Sequence, residues 1–224
     1  MNTNVVPSKE RLVRNTFYIT YAFLITTGTI TFIEAMRTND SKIRHILNLE
    51  TVISIVAGYF YTVFMRKINN NELNYSEINL NRYIDWAITT PVMLLVLCLV
   101  FVYNNKTKLT AGFFLIVLII NYIMLGAGYM GETKMINKRV GWTIGSVAFI
   151  VLYGLLYFTF IQGKNVFDNK IIFWAFLIFW AGYGIAYNLD QETRNISYNI
   201  LDLFSKCFVG IFFWAYLTKV LVIF

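Results

Sequence analysis

Seven apolar runs of about 20 residues, separated by short polar connections, constrain this chain more than any other feature. A bilayer core about 30 Å thick needs about that many residues at roughly 1.5 Å of helical rise each. The runs lie at Asn15–Met36, His45–Met65, Arg82–Tyr103, Leu109–Met130, Val140–Ile161, Ile171–Leu189 and Ser197–Ile223. They predict an all-α, seven-transmembrane-helix bundle that forms a single domain over residues 1–224. The longest connection, Arg66–Asn81, is rich in asparagine and reads as a loop or short hairpin, while Gln162–Lys170 and Asp190–Asn195 read as turns. Met1–Glu10 is polar and lacks the apolar region of a cleavable leader, so the first run is expected to act as an uncleaved membrane signal. An odd number of spans places the termini on opposite sides.

Composition excludes the soluble alternatives. With 58% hydrophobic and only 14% charged residues, the chain has too much apolar surface for a water-soluble core of this length. The net charge of +7 sits mostly between the runs, where Lys and Arg flank membrane helices, so no nucleic-acid partner is expected; the partner is the lipid bilayer. These cations do not orient the bundle. Arg37, Lys42, Arg44, Lys106, Lys108, Lys164 and Lys170 lie on one side, against Lys9, Arg11, Arg14, Arg66, Lys67, Lys134, Lys138, Arg139 and Arg194 on the other. Cys98 and Cys207 fall inside apolar runs and read as small hydrophobes rather than a disulfide. No metal site is expected.

One charge stands inside the last run. A lysine at the centre of a membrane helix costs about 2.5–3.5 kcal/mol on insertion scales, so Lys206 requires a partner or a covalent task. Asp202, four residues earlier, shares its helical face. The third run carries Arg82-Tyr83-Ile84-Asp85-Trp86-Ala87-Ile88-Thr89-Thr90-Pro91-Val92-Met93, in which Arg82, Asp85 and Thr89 form one polar stripe suited to a buried cation. An imine formed on Lys206 would be held protonated by Asp85 and Asp202. A purely structural Lys206–Asp202 pair is the plainer alternative. Pro91 reads as a kink whose freed carbonyl a neighbouring helix must satisfy.

These two motifs, at matching depth, identify the chain as resembling a microbial (type 1) rhodopsin over essentially all seven helices, with the bacteriorhodopsin-like fold. The resemblance implies all-trans-retinal bound as a Schiff base to Lys206, Asp85 as primary proton acceptor, Asp202 as second counter-ion, and Arg82 and Thr89 beside them. The family's Trp-x-x-Tyr-Pro-x-x-Trp cage is similar to Trp180-Ala181-Gly182-Tyr183-Gly184-Ile185-Ala186-Tyr187, with Gly184 for proline and Tyr187 for the second tryptophan. Ile123-Met124-Leu125-Gly126-Ala127-Gly128 and Trp142-Thr143-Ile144-Gly145-Ser146 resemble the segments around the ring of the chromophore. Trp86, Thr90, Met93 and Ser205 complete the implied pocket, and an apolar residue at Met93 implies green rather than blue absorption. Taken singly, Trp142, Met93 and Met124 are equally ordinary core residues.

The resemblance also frames the proton path. The family's donor position, eleven residues after the acceptor, is Val96 here, which leaves Glu50 as the candidate donor at a depth about 16 Å along the bundle from Asp85. Burial there would keep it protonated; snorkelling to the interface is the alternative. Where the family has a release carboxylate, this chain has Arg194, and Glu192, expected near Tyr83, is the replacement candidate. Glu34, Arg44 and Glu50 around the first connection are similar to the second group of viral rhodopsins from giant viruses, which implies a pentamer with Glu34 and Arg44 at the ring interface. The expected function is an outward light-driven proton pump rather than an enzyme, with the N-terminus extracellular and the C-terminus cytoplasmic. A light-gated cation channel, for which Thr20, Thr27 and Asn48 supply polar positions, and a photosensor are the alternatives.

Overall fold

Most of the polar connections carry their own helix-start signal. Asp40, Asn74, Thr110, Asn137 and Asp190 have extended backbone, and each side chain accepts a backbone N–H from the helix that follows. That closes donors which the helix cannot pair internally. At Asp190, bonds from the Thr193 hydroxyl and backbone hold the exposed carboxyl below the ordinary carboxylate range.

The computed structural model describes residues 8–70 and 74–221. Over these residues the chain forms α1 (Ser8–Arg37), α2 (Ser41–Asn69), α3 (Tyr75–Asn105), α4 (Ala111–Glu132), α5 (Lys138–Phe160), α6 (Phe167–Ala186), α7 (Gln191–Asp202) and α8 (Val209–Leu217). A π-helical turn, Leu203–Phe208, joins α7 to α8, and the three pieces make one span. Seven spans are long and apolar enough to cross a bilayer, so the chain is an integral multi-pass membrane protein.

Each span packs on the next, and α1 closes the ring against α7 and α8. The third span is the most enclosed, with 61% of its apolar window buried against 17% for the fourth, so α3 carries side chains to the centre. Ile19, Phe23, Ile55, Ile119, Ile150 and Ile178 face outward as an apolar coat suited to lipid. The half of the bundle where α1 finishes is filled by Ile46, Leu47, Ile53, Leu94, Val96, Leu97, Phe101 and Phe213. The half where α1 begins buries Asn79, Arg82, Arg194, Asn195 and Asn199 beside a smaller apolar cluster that includes Phe17, Phe64 and Ile68.

The helix boundaries depart from the sequence expectation where polar residues face inward. Arg66–Asn81 is largely helix rather than loop, because α2 runs to Asn69 and α3 begins at Tyr75. An ion pair between Lys67 and Glu77 ties the two ends, and Asn79 and Arg82 are buried. Asp190–Asn195 is likewise a cap followed by the first turn of α7, with Arg194 and Asn195 buried. The sixth helix ends at Ala186 and the seventh span at Leu217, both earlier than expected; Ile223 and the opening residues 1–7 lie outside the described residues. Pro91 interrupts no helix: the Tyr122 hydroxyl donates to the Ala87 carbonyl at 3.1 Å, the group left without its i+4 N–H.

Candidate functional site

Lys206 lies in the π-turn, a geometry frequent at functional positions because it displaces one residue from the regular ladder. Its side chain is 1% exposed, and Nζ donates to Asp85 Oδ2 at 2.7 Å, with Asp202 Oδ1 at 3.3 Å. The two carboxylates are not equivalent. Asp202 also accepts from Tyr61 at 2.8 Å, Tyr183 at 2.6 Å and Arg82 at 3.4 Å, while among the described residues Asp85 receives only the lysine. The Tyr183 hydroxyl lies 2.8 Å from that of Ser205. The Thr89 hydroxyl turns to the backbone carbonyl of Asp85 at 2.9 Å, so the expected polar stripe presents the guanidinium and carboxylate but not this hydroxyl.

Arg82 is fully buried among the rings of Phe17, Tyr61, Phe64 and Tyr198, each 5.2–5.6 Å from its guanidinium carbon. Nη2 donates to Asn199 and Nε to Asn195 Oδ1 at 3.3 Å. Asn195 then donates to Asn79 at 3.2 Å, and Asn79 to Glu132 at 3.0 Å. Arg194 holds Glu132 through two nitrogens, both at 3.0 Å. A continuous chain of side-chain bonds thus joins the lysine cluster to an ion pair at the end of the bundle where α1 begins.

A cavity of about 370 Å³ extends from Lys206 between α3, α4, α5 and α6, within the range of about 300–1,000 Å³ for small-molecule sites. Trp86, Thr90, Met93, Met124, Gly128, Trp142, Ser146, Trp180, Tyr183, Tyr187 and Ser205 all line it, as does Lys206 itself. Its walls are fixed by specific contacts. A methyl on Gly128 would fall 2.7 Å from the Tyr83 hydroxyl, Tyr187 donates to the Gly128 carbonyl at 3.2 Å, and the Trp142 indole donates to the Gly184 carbonyl at 2.8 Å. Tyr83, Tyr183 and Tyr198 stand edge-on to Trp86 at 5.1–5.5 Å. Buried Asn121 bonds Thr90 at 2.9 Å behind this wall. An apolar slot rich in aromatic side chains, with an amine in its lining, fits a polyene that carries an aldehyde.

The family described as Bacteriorhodopsin-like protein matches residues 12–220. The chain belongs to this family. Its members bind retinal through a Schiff base to a lysine. The chain is similar to Opsin-1 of Neurospora crassa, at 30% identity over 61% of this chain and 48% of that protein. It thus matches about half the length of that relative. Green-light absorbing proteorhodopsin from Gamma-proteobacterium EBAC31A08 is 23% identical over 91% of this chain and 85% of its own. The crystal structure of viral rhodopsin OLPVRII superimposes with a TM-score of 0.88 at 50% identity, covering 94% of this chain and 100% of that one. The resemblance to viral rhodopsins is thereby borne out.

One candidate proton-path residue lies elsewhere than expected. Glu192 is half-buried in the first turn of α7, near Tyr75; the carboxylate near Tyr83 and on Arg194 is Glu132, at the end of α4. Glu50 is buried, so it does not snorkel, and its carboxyl lies beside Gly210 of α8. Sequence reasoning missed Tyr61, Asn79, Asn121, Glu132, Asn195 and Asn199. Glu132 alone left a trace, four residues after Gly128 and hence on the same face of α4.

Proposed function

We propose that this protein is a light-driven outward proton pump, with all-trans-retinal on Lys206, Asp85 as proton acceptor and Glu50 as donor. The observation that carries the reading is the buried Lys206–Asp85 contact at 2.7 Å at the head of the apolar cavity. Bound as an imine to Nζ, retinal supplies light absorption and the change of shape that redirects that nitrogen. Here the ammonium of Lys206 stands where the protonated imine nitrogen would lie.

The residues divide the work. Asp85 takes the proton from Nζ, because its carboxylate carries no other donor among the described residues, whereas three further donors already bind Asp202. Asp202 remains as the fixed countercharge. Trp86, Trp180 and Tyr183, with Met124, Gly128, Trp142 and Ser146, line the cavity and would hold the polyene. The apolar packing around Val96 and Leu97 bars a continuous water-filled path through the opposite half, which favours pumping over an open ion path. Glu50 restores the proton to Nζ from that side. The N-terminus is then extracellular and the C-terminus cytoplasmic, and the resemblance to viral rhodopsins supports a pentamer.

Photocurrent against membrane voltage, under varied proton and sodium gradients in cells supplied with all-trans-retinal, tests the reading. Outward current at every voltage, indifferent to sodium, is expected; Asp85→Asn should shift absorption to the red and abolish it. Current that reverses with the cation gradient would replace the pump by a light-gated cation channel. A slow photocycle without current would indicate a photosensor.

A further inference from the structure

One buried corner belongs neither to the lysine cluster nor to the cavity. It is built by Thr27 of α1, Glu50 of α2, Cys207 of the π-turn and Gly210 of α8. The Thr27 hydroxyl donates to the Cys207 carbonyl at 3.3 Å, which adds a donor from α1 to the stretch of backbone next to Lys206. Gly210 lies one turn beyond Lys206, about 6 Å of rise. A methyl placed on it would stand 2.7 Å from Thr27 Cγ2 and 3.1 Å from Glu50 Oε2. Glycine inside a helix destabilises it relative to alanine unless close approach requires it. Here the approach is that of the Thr27 methyl and, next to it, of the Glu50 carboxyl group, which has no hydrogen-bond or ion-pair partner among the described residues. So placed, Glu50 carries its proton rather than a charge, because an unpaired buried carboxylate is costly.

We propose that Gly210 and Thr27 are positioning residues for proton return. The missing side chain at 210 leaves the slot in which Glu50 reaches the seventh span, and Thr27 holds that span in register beside it. This rests on the reading of Glu50 as donor. After Nζ of Lys206 has given its proton to Asp85, the O–H bond of Glu50 breaks and an N–H bond forms at Nζ. Glu50 is left as a carboxylate and regains a proton from cytoplasmic water. One turn of helix exceeds a direct hydrogen bond, so water bridges the transfer.

The test is flash spectroscopy of the full retinal-loaded chain in membranes, following reprotonation of the Lys206 nitrogen against pH. The unaltered protein should show a rate nearly independent of pH, as an internal donor dictates. Gly210→Ala should absorb at the same wavelength and protonate Asp85 normally, yet return the proton about tenfold or more slowly. Its rate should fall as pH rises and recover with azide, a small proton carrier. Thr27→Ser in the same chain removes the nearer clash while keeping the hydroxyl, and should restore part of the rate. Thr27→Val, nearly isosteric, covers the case in which Gly210→Ala fails to fold, and should slow the same step. A Gly210→Ala or Thr27→Val rate that is unchanged, or slow but insensitive to pH and azide, would overturn the proposal. If Glu50→Gln also leaves the rate unchanged, the donor reading itself fails; if Glu50→Gln is slow while the positioning variants are normal, only this inference fails.

Discussion

Individual residues were legible in proportion to how badly they fitted their surroundings. Lys206, Asp85 and Asp202 stand out because a charge inside a 20-residue apolar run has no ordinary reading, and the structure brings them within 3.3 Å of the lysine nitrogen. Glu132, Asn79 and Asn195 lie near the ends of spans, where polar residues are commonplace, so nothing in the sequence separated them from solvated positions. Glu192 was favoured by its nearness in sequence to Arg194. Residues two positions apart on a helix differ by about 200° in direction, so a buried Arg194 points Glu192, half-buried, away from Glu132. Glu132→Gln should therefore destabilise the protein by about 3 kcal/mol, since it strands a buried guanidinium, whereas Glu192→Gln should cost less than about 0.5 kcal/mol. Thermal loss of the visible absorbance band measures both, and equal effects would refute the assignment of Glu132 as the buried partner.

At the level of elements, helix starts read from apolarity alone fell several residues late at α2, α3 and α7, because Asp40, Asn74 and Asp190 cap polar first turns by a local mechanism that apolar runs do not display. The π-turn was invisible: Lys206 stood out as a charge, but nothing in Leu203–Phe208 marks a change in the helical ladder. Pro91 shows the intermediate case, in which the need for an outside donor was readable but the donor, Tyr122, was not. Removing that hydroxyl with Tyr122→Phe should cost about 1 kcal/mol. In a Pro91→Ala chain, where residue 91 regains its own N–H for the Ala87 carbonyl, the same substitution should be almost neutral. A double-mutant cycle on thermal stability measures the difference; additivity would mean that the hydroxyl does not serve the proline.

For the molecule as a whole, the number and order of spans were plain because the bilayer dictates their length, while orientation was not, because cations are balanced at both ends. Assembly lies further out of reach, since any lipid-facing surface can also face a neighbour. At the first connection Glu34 pairs with Arg37 at 2.9 Å and Arg44 donates to the Thr38 carbonyl at 2.8 Å, within one chain. The proposed pentamer predicts five-fold particles by imaging in lipid nanodiscs, with Glu34→Ala/Arg44→Ala shifting them to smaller species; five-fold particles that survive both changes would remove these residues from the interface. Across the bundle, the bonds from Arg82 through Asn195 and Asn79 to Glu132 all point the same way, donor to acceptor. Carboxamides hand on polarisation but do not readily accept and release protons, so this thread conducts electric field while insulating against leakage. Charge movement deep in the protein can be felt at the rim with no ion having travelled there.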